Sequence, residues 1–252
     1  MREDTAPHPR YLPAMQLTLR QRASWLAHLF KAVAQQHHRE LIPILKSLVP
    51  NDAVVLDVGA HAGQFSKLFA ALAPAGQVYA FEPSDYALSI LRPALRLNRA
   101  ANVTVVQAGL SDASGELVLH TPIKRRGSLG FGVAHLGEGA ETGPTLDQTV
   151  PLLTLDQFAA HRSLHRLDLI KIDIEGWEMR ALAGGEATLR HFHPALFLEV
   201  NAEMLARAGD TPAALFNWLA TLGYSARLAP DLSPAPAYSA VGDYLFTVPE
   251  TA

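Results

Sequence analysis

The sequence predicts an α/β fold built on a twisted, mostly parallel sheet, and three observations carry that expectation. Short apolar runs alternate with helix-period segments from about residue 53 onward. The connections between them are brief, as crossovers between parallel neighbours require. The chain of 252 residues is 49% hydrophobic and 18% charged, enough apolar material for a sheet covered on both faces.

Element by element, residues 1–13 are polar and proline-rich and are expected to be mobile. Leu19, Ala23, Leu26, Phe30 and Val33 recur at helical spacing and predict a first helix with that face inward. A short helix is expected over 40–48. Residues 53–58 then read as a buried strand, 64–73 as a helix, Gln77–Phe81 as a strand, 84–98 as a helix and 103–107 as a third strand. Residues 117–120 suggest an added edge strand. The glycine-rich stretch 122–149 reads as one long loop. Pattern resumes over 152–160, followed by a strand at 167–173, a helix at 177–190 and a strand at 195–200. Thr211 as cap and Pro212 at the first helical position start a helix that Gly223 stops. Strands at 224–228 and 244–248 close the pattern. No internal repeat divides the chain, so we expect one domain over 49–252, preceded by a helical extension, 1–48, that serves as lid or brace.

Composition narrows the function. A net charge of −3 gives no bulk attraction to nucleic acid or an anionic membrane. There is no cysteine, hence no disulfide framework and no thiolate zinc site. No leader-like apolar segment opens the sequence and no uncharged run is long enough to span a bilayer. The expectation is a cytoplasmic protein acting on a small molecule.

The strongest local signal is Val54-Val55-Leu56-Asp57-Val58-Gly59-Ala60-His61-Ala62-Gly63, an apolar strand running into a glycine turn and a helix. In open α/β sheets ligands bind outside the carboxyl ends of the strands. The G-x-x-x-G spacing puts His61 where a dinucleotide fingerprint needs its second glycine, and Asp57 is ill-placed beside a diphosphate. A carboxylate there suits a cationic amino group, such as the ammonium of S-adenosyl-L-methionine. The cofactor set read from the sequence is Asp57, Gly59, His61 and Gly63 at this turn. Glu82 joins it after the second strand, to accept from ribose hydroxyls, and Ser111 and Asp112 after the third. A nicotinamide-dependent oxidoreductase and a non-catalytic S-adenosylmethionine-binding protein are the alternatives.

These segments, together with Leu155-Asp156, the run from Asp168 through Lys171-Ile172-Asp173-Ile174-Glu175-Gly176-Trp177-Glu178, Leu182-Ala183-Gly184-Gly185 and Pro194 to Glu199, resemble the FkbM family of methyltransferases. The resemblance implies a seven-stranded Rossmann-like class I methyltransferase fold with a C-terminal antiparallel strand. It also implies O-methylation of a hydroxyl on a sugar or secondary metabolite. It leaves the N-terminal helices, the 122–149 loop and the C-terminal segment uncovered, and with them the acceptor.

Chemistry at the far rim falls to acids. Asp173 ends the fourth strand of the alternating pattern, Glu175 sits in the turn after it, and Glu199 ends the next strand, beside Asp173 by strand order. Crowded carboxylates raise one another's pKa, which favours a general base near neutrality. The competing reading has Asp173, Glu199 and Asn201 hold Mg²⁺, which would acidify the acceptor. Glu178 reads better as a helix N-terminal carboxylate serving backbone amides. His161 with His165, and His191 with His193, lack a third ligand or an H-E-x-x-H frame, which argues against zinc. Lys124, Arg125 and Arg126 open the long loop as solvated charges or as a clamp on an anionic acceptor.

Overall fold

A computed structural model of the chain describes residues 19–122, 135–136, 145–229 and 231–249. The mobile segment expected at 1–13, the basic run at 124–126 and most of the 122–149 loop lie outside them.

Helix α1 (Leu19–Ala34), a 3-10 turn (Arg39–Leu41) and α2 (Ile42–Leu48) precede the sheet. Strand and helix then alternate through β1 (Val54–Val58), α3 (Gln64–Leu72), β2 (Gln77–Phe81), α4 (Asp85–Leu97) and β3 (Val103–Val106). Four strands follow: β4 (Gly109–Leu110), β5 (Gly115–Pro122), β6 (His135–Leu136) and β7 (Thr145–Leu153). The second half comprises α5 (Leu155–His161), β8 (Leu169–Ile172), α6 (Glu178–Ala183), α7 (Glu186–Phe192), β9 (Ala195–Val200), α8 (Ala202–Arg207) and α9 (Pro212–Thr221), closed by β10 (Ser225–Leu228) and β11 (Gly242–Thr247).

The main sheet has seven strands in the order β10-β11-β9-β8-β1-β2-β3. β11 runs antiparallel to both of its neighbours, and β1, β2, β3, β8 and β9 are mutually parallel. The fold is thus the expected Rossmann-like one. Order reverses at β1, between β2 and β8, and ligand crevices in such sheets open at that point.

The period-2 alternation sorts side chains by face. Leu56, Val58, Ile170, Ile172, Leu196 and Leu198 join the core that α5, α7 and α9 cover, while Val55, Leu169 and Phe197 face α2 and α3. Asp57 shares parity with Val55, Lys171 and Asp173 with Leu169, and Glu199 with Phe197. One face of the sheet therefore carries Asp57, Lys171, Asp173 and Glu199 at the carboxyl ends of β1, β8 and β9.

Four expectations change. Residues 117–120 belong to β5, which pairs not with the main sheet but with β7 and β6 in a second sheet ordered β4-β7-β5-β6. The end of the presumed loop, from Thr145, is the start of β7, whose partner β5 lies too far back in sequence for a local pattern to reveal. The helix expected over 177–190 is two helices. A Cβ on Gly184 would meet the Ser111 carbonyl oxygen at 2.0 Å, and one on Gly185 would meet Leu155 Cδ2 at 2.4 Å, so the glycine pair breaks the helix where other segments press in. Finally, α1 turns a different stripe inward: Leu26 and Phe30 are 59% and 69% exposed, while Ala32 is buried and Trp25, Leu29 and Val33 pack beside it. Polar partners choose the stripe. Trp25 Nε1 donates to Ser89 Oγ at 2.9 Å, and His28 Nδ1 meets the Tyr86 hydroxyl at 3.2 Å, both on α4. No described helix is long and apolar enough to cross a membrane.

Candidate functional site

A cavity of about 530 Å³ opens at the carboxyl ends of β1, β2, β8 and β9, where the strand order reverses. Its volume is that of a small-molecule site. Its wall includes Gly59, His61, Glu82, Gly109, Leu110, Lys171, Asp173, Glu175, Glu199 and Asp243, with His38 from the N-terminal segment and Leu119 from the second sheet.

At the turn after β1, Gly59 has φ 79°, and a Cβ there would sit 2.0 Å from the Asp173 carbonyl oxygen. Glycine is required because the turn is pressed onto the end of β8. His61 also takes a left-handed φ, 50°, and its amide donates to Glu82 Oε2 at 2.8 Å. Gly63, at φ 83°, caps α3 away from the cavity; a Cβ there would meet Leu91 Cδ1 of α4 at 2.6 Å. Its role in this structure is helix packing.

Asp57 is fully buried, behind the cavity wall rather than on it. Ser66 Oγ donates to its Oδ2 at 2.5 Å, and Oδ1 has no hydrogen-bond partner among the described residues but faces Lys171 Nζ at 3.7 Å. Burial raises its pKa, with Lys171 and Ser66 opposing. The cation beside Asp57 is a lysine of the chain itself.

Glu82 stands on the wall. Oε2 accepts from the His61 amide and Oε1 from the Ser84 amide, each at 2.8 Å, and the remaining lone pairs stay available for further donors. Burial pushes it from 4.5 to about 7, although the two amides favour the carboxylate.

Ser111 and Asp112 lie off the cavity, whose wall on that side is Ala108, Gly109 and Leu110. Ser111 Oγ accepts from Trp177 Nε1 at 3.1 Å, Asp112 pairs with Arg180 at 3.5 Å, and the Arg180 guanidinium stacks 4.8 Å from the Trp177 ring. These motif residues tie β4 to α6.

The acids assemble by register. β1 sets Asp57 opposite Lys171, and β11 sets Asp243 opposite Glu199. β8 pairs Ile172 with Leu198, so Asp173 and Glu199 end adjacent strands side by side and share a hydrogen bond. Burial opposes ionisation of Asp173, but Lys171, 3.3 Å from Oδ2, and the bond to Glu199 outweigh it and hold Asp173 below the ordinary value. Glu199 goes the other way, to about 7, through burial and the neighbouring Asp173. Glu175, at φ 56° in the turn after β8, also rises to about 7 through burial, Asp173 and Glu178. Glu178 clips that turn: Oε1 accepts from the amides of Ile174 and Gly176, each at 3.1 Å.

The donor set does not fit a metal. Asn201 Oδ1 caps α8, accepting from the Glu203 amide at 3.0 Å, while Asp173 is ion-paired with Lys171. Among the described residues no group of three His, Asp or Glu side chains is placed to hold one. Lys171, Asp243 and His38 line the cavity without having been singled out from the sequence. The signal for Lys171 was present: a charge inside the fully buried strand Leu169-Ile170-Lys171-Ile172. Asp243 and His38 carried none, because their strand and turn reach the site from distant parts of the chain.

A family model for the methyltransferase FkbM domain matches residues 57–226, more than half of the chain. The 2-O-methyltransferase NoeI of Sinorhizobium fredii is 26% identical over 160 residues, 60% of this chain and 64% of that protein. The methyltransferase sdnD of Sordaria araneosa is 28% identical over 159 residues, 54% of this chain and 61% of the relative. The chain thus spans less than two thirds of either. Among solved structures, an FkbM methyltransferase from Methylobacillus flagellatus superposes with a TM-score of 0.51 at 15% identity, covering 88% of this chain and 58% of that one. An O-methyltransferase from Bacillus cereus, solved with SAH, gives 0.52 at 14% identity and covers 94% of each chain, a likeness of fold. With the family match running from the end of β1 into β10 and taking in the cavity wall except His38 and Asp243, the chain belongs to the FkbM methyltransferase family.

Proposed function

We propose that the protein is an S-adenosyl-L-methionine-dependent O-methyltransferase acting on a hydroxyl of a small molecule, a sugar or secondary metabolite. The observation that carries the reading is the Asp173–Glu199 pair on the cavity wall, one member held ionised and the other with a pKa near neutrality. Family membership supports methyl transfer, and the likeness to the 2-O-methyltransferase NoeI supports oxygen as the acceptor atom. The residues suit the cofactor: Glu82 keeps accepting capacity for ribose hydroxyls, Gly59 exposes its turn, and Asp173 supplies negative charge for a cationic amino-acid tail.

Bound S-adenosylmethionine supplies an electrophilic methyl on a positively charged sulfur. The chain's own share is to orient the acceptor and take its proton. Glu199, as carboxylate, would accept the acceptor's hydroxyl proton as the donor's methyl–sulfur bond gives way to the new carbon–oxygen bond and the sulfur leaves as a neutral thioether; Glu175 is the neighbouring carboxyl able to substitute. Turnover should therefore rise as pH passes through about 7, where Glu199 loses its own proton. An acid-lined cavity disfavours nucleic acid and other phosphorylated acceptors, which favours a small hydroxylated molecule as the partner. The catalytic unit is 49–252, and of the segment before it the described residues 19–48 brace the sheet and lend His38 to the wall.

Titration calorimetry with S-adenosylmethionine, S-adenosylhomocysteine and NAD tests the cofactor, and labelled-methyl transfer to a panel of hydroxylated acceptors tests the reaction. We expect binding of the first two compounds and loss of turnover in D173A and E199Q. Binding of NAD with indifference to both sulfur compounds would overturn the reading.

A further inference from the structure

Lys171 is 4% exposed, in a strand whose other residues are all buried. Desolvation of an ammonium is costly unless several partners meet it. Here Nζ donates to the Gly59 carbonyl at 3.2 Å and to Asp173 Oδ2 at 3.3 Å, faces Asp57 Oδ1 at 3.7 Å and lies 5.2 Å from the Phe65 ring centroid. One cation thus joins the end of β1 to the end of β8. The junction is also sterically closed, since Gly59 lies against the Asp173 backbone.

We propose that Lys171 is a positioning residue. By bridging Gly59, Asp57 and Asp173 it keeps Asp173 an anion, and so leaves Glu199 as the member of the rim pair that carries and exchanges the proton. The inference rests on the methyl-transfer reading for its purpose, though not for its test. Two like carboxyls in hydrogen-bond contact hold one proton between them, and an asymmetric neighbour decides which keeps it. The groups facing Asp173 are Lys171 beside it in sequence, His61 on the glycine turn, Glu199 on β9, Asp57 on β1, Glu175 and Glu178 after β8 and Asp243 on β11. Those facing Glu199 are Asp173, Lys171 at longer range, Glu175 after β8 and Asp243 on β11, and Asp243 in turn meets His38, Lys171 and Glu40. Lys171 touches the pair through Asp173, with Nζ 3.3 Å from Oδ2. Burial disfavours its charge, yet Asp173 and Asp57 together raise its pKa, so it stays protonated wherever the pair titrates.

The experiment is a carbon-13 carboxyl NMR titration of the full chain labelled at the Asp and Glu side-chain carboxyls. The Asp173 and Glu199 signals are assigned by their loss in D173N and E199Q. In the wild type Asp173 should stay flat between about pH 5 and pH 8 while Glu199 titrates, as the ordinary carboxyl ranges allow only if the pair is polarised. In K171M the Asp173 signal should move with pH in that window, by at least roughly one unit of midpoint, a tenfold change in protonation. K171R should restore the flat trace. Because K171M leaves Asp57 a bare buried anion, the measurement is repeated in K171M/D57N, which removes both charges. An unmoved Asp173 in that double variant would overturn the proposal, as would an Asp173 that already titrates in the wild type. S-adenosylhomocysteine calorimetry on the same samples separates the two ideas, since failure of the wild type to bind it sinks the cofactor reading and leaves the charge assignment legible.

Discussion

Glu82 shows how one residue can carry both a local and a distant duty. Its two amide partners hold the β1 and β2 turns together, and its spare lone pairs face the cavity. Replacing it by glutamine keeps the shape and removes the charge. Hydrogen bonds to a charged group contribute about 1.5–3 kcal/mol, so E82Q should weaken S-adenosylhomocysteine binding by roughly tenfold to a hundredfold, measured by calorimetry at pH 8. The wild-type affinity should itself fall as pH drops below about 7, where Glu82 takes a proton. Equal affinity in E82Q would remove Glu82 from the ribose end. Asp57, the most conspicuous acid of the sequence motif, illustrates the opposite case, since folding closes it behind the wall against Ser66 and Lys171.

At the scale of elements, the motif segments outside the cavity do structural service. The β4 end, the turn before α6 and the Gly184-Gly185 break form one cluster through Ser111, Trp177, Arg180 and Asp112. W177F keeps an aromatic ring and loses the bond to Ser111; we expect about 1 kcal/mol of destabilisation with cofactor affinity unchanged, read by denaturant unfolding and calorimetry together. Gly59 is less forgiving. G59A forces a Cβ into the Asp173 carbonyl at a backbone angle that disfavours side chains. Loss of measurable S-adenosylhomocysteine binding is expected even if the protein remains folded. Retention of wild-type affinity would show that β1 and β8 can separate without harm to the site. α1 is held at its C-terminal end by Lys67, which donates to the carbonyls of Ala32 at 2.5 Å and Gln35 at 3.0 Å. K67M should speed amide exchange in α1 and leave β1 and β8 protected, because few other polar bonds anchor that end.

For the whole molecule, the acids make stability depend on pH in an unusual direction. Glu82, Glu175 and Glu199 all titrate near 7 when folded against 4.5 ordinarily. Between those values the folded chain holds protons that the unfolded chain has released, so their stabilising share is complete below about 4.5 and is lost as pH rises through about 7. The melting temperature of the ligand-free protein should fall from pH 5 to pH 8, and E175Q/E199Q should flatten the decline. A melting temperature that climbs over that window would contradict the site's electrostatics.

The sequence by itself determined the parallel α/β sheet, the glycine turn after β1 and the acids at the ends of β1, β2, β8 and β9, because local periodicity and strand-end position need no distant partner. The same limitation hid the pairing of β5 with β7, the inward stripe of α1 and the approach of Asp243 on an antiparallel strand, each fixed by contacts far apart in the chain. Only the tertiary structure decided that Asp57 is sealed and that Lys171 touches Asp173. Ionisation depends on burial and on the sign of the nearest charge, and both arise only when separate strands are brought into register.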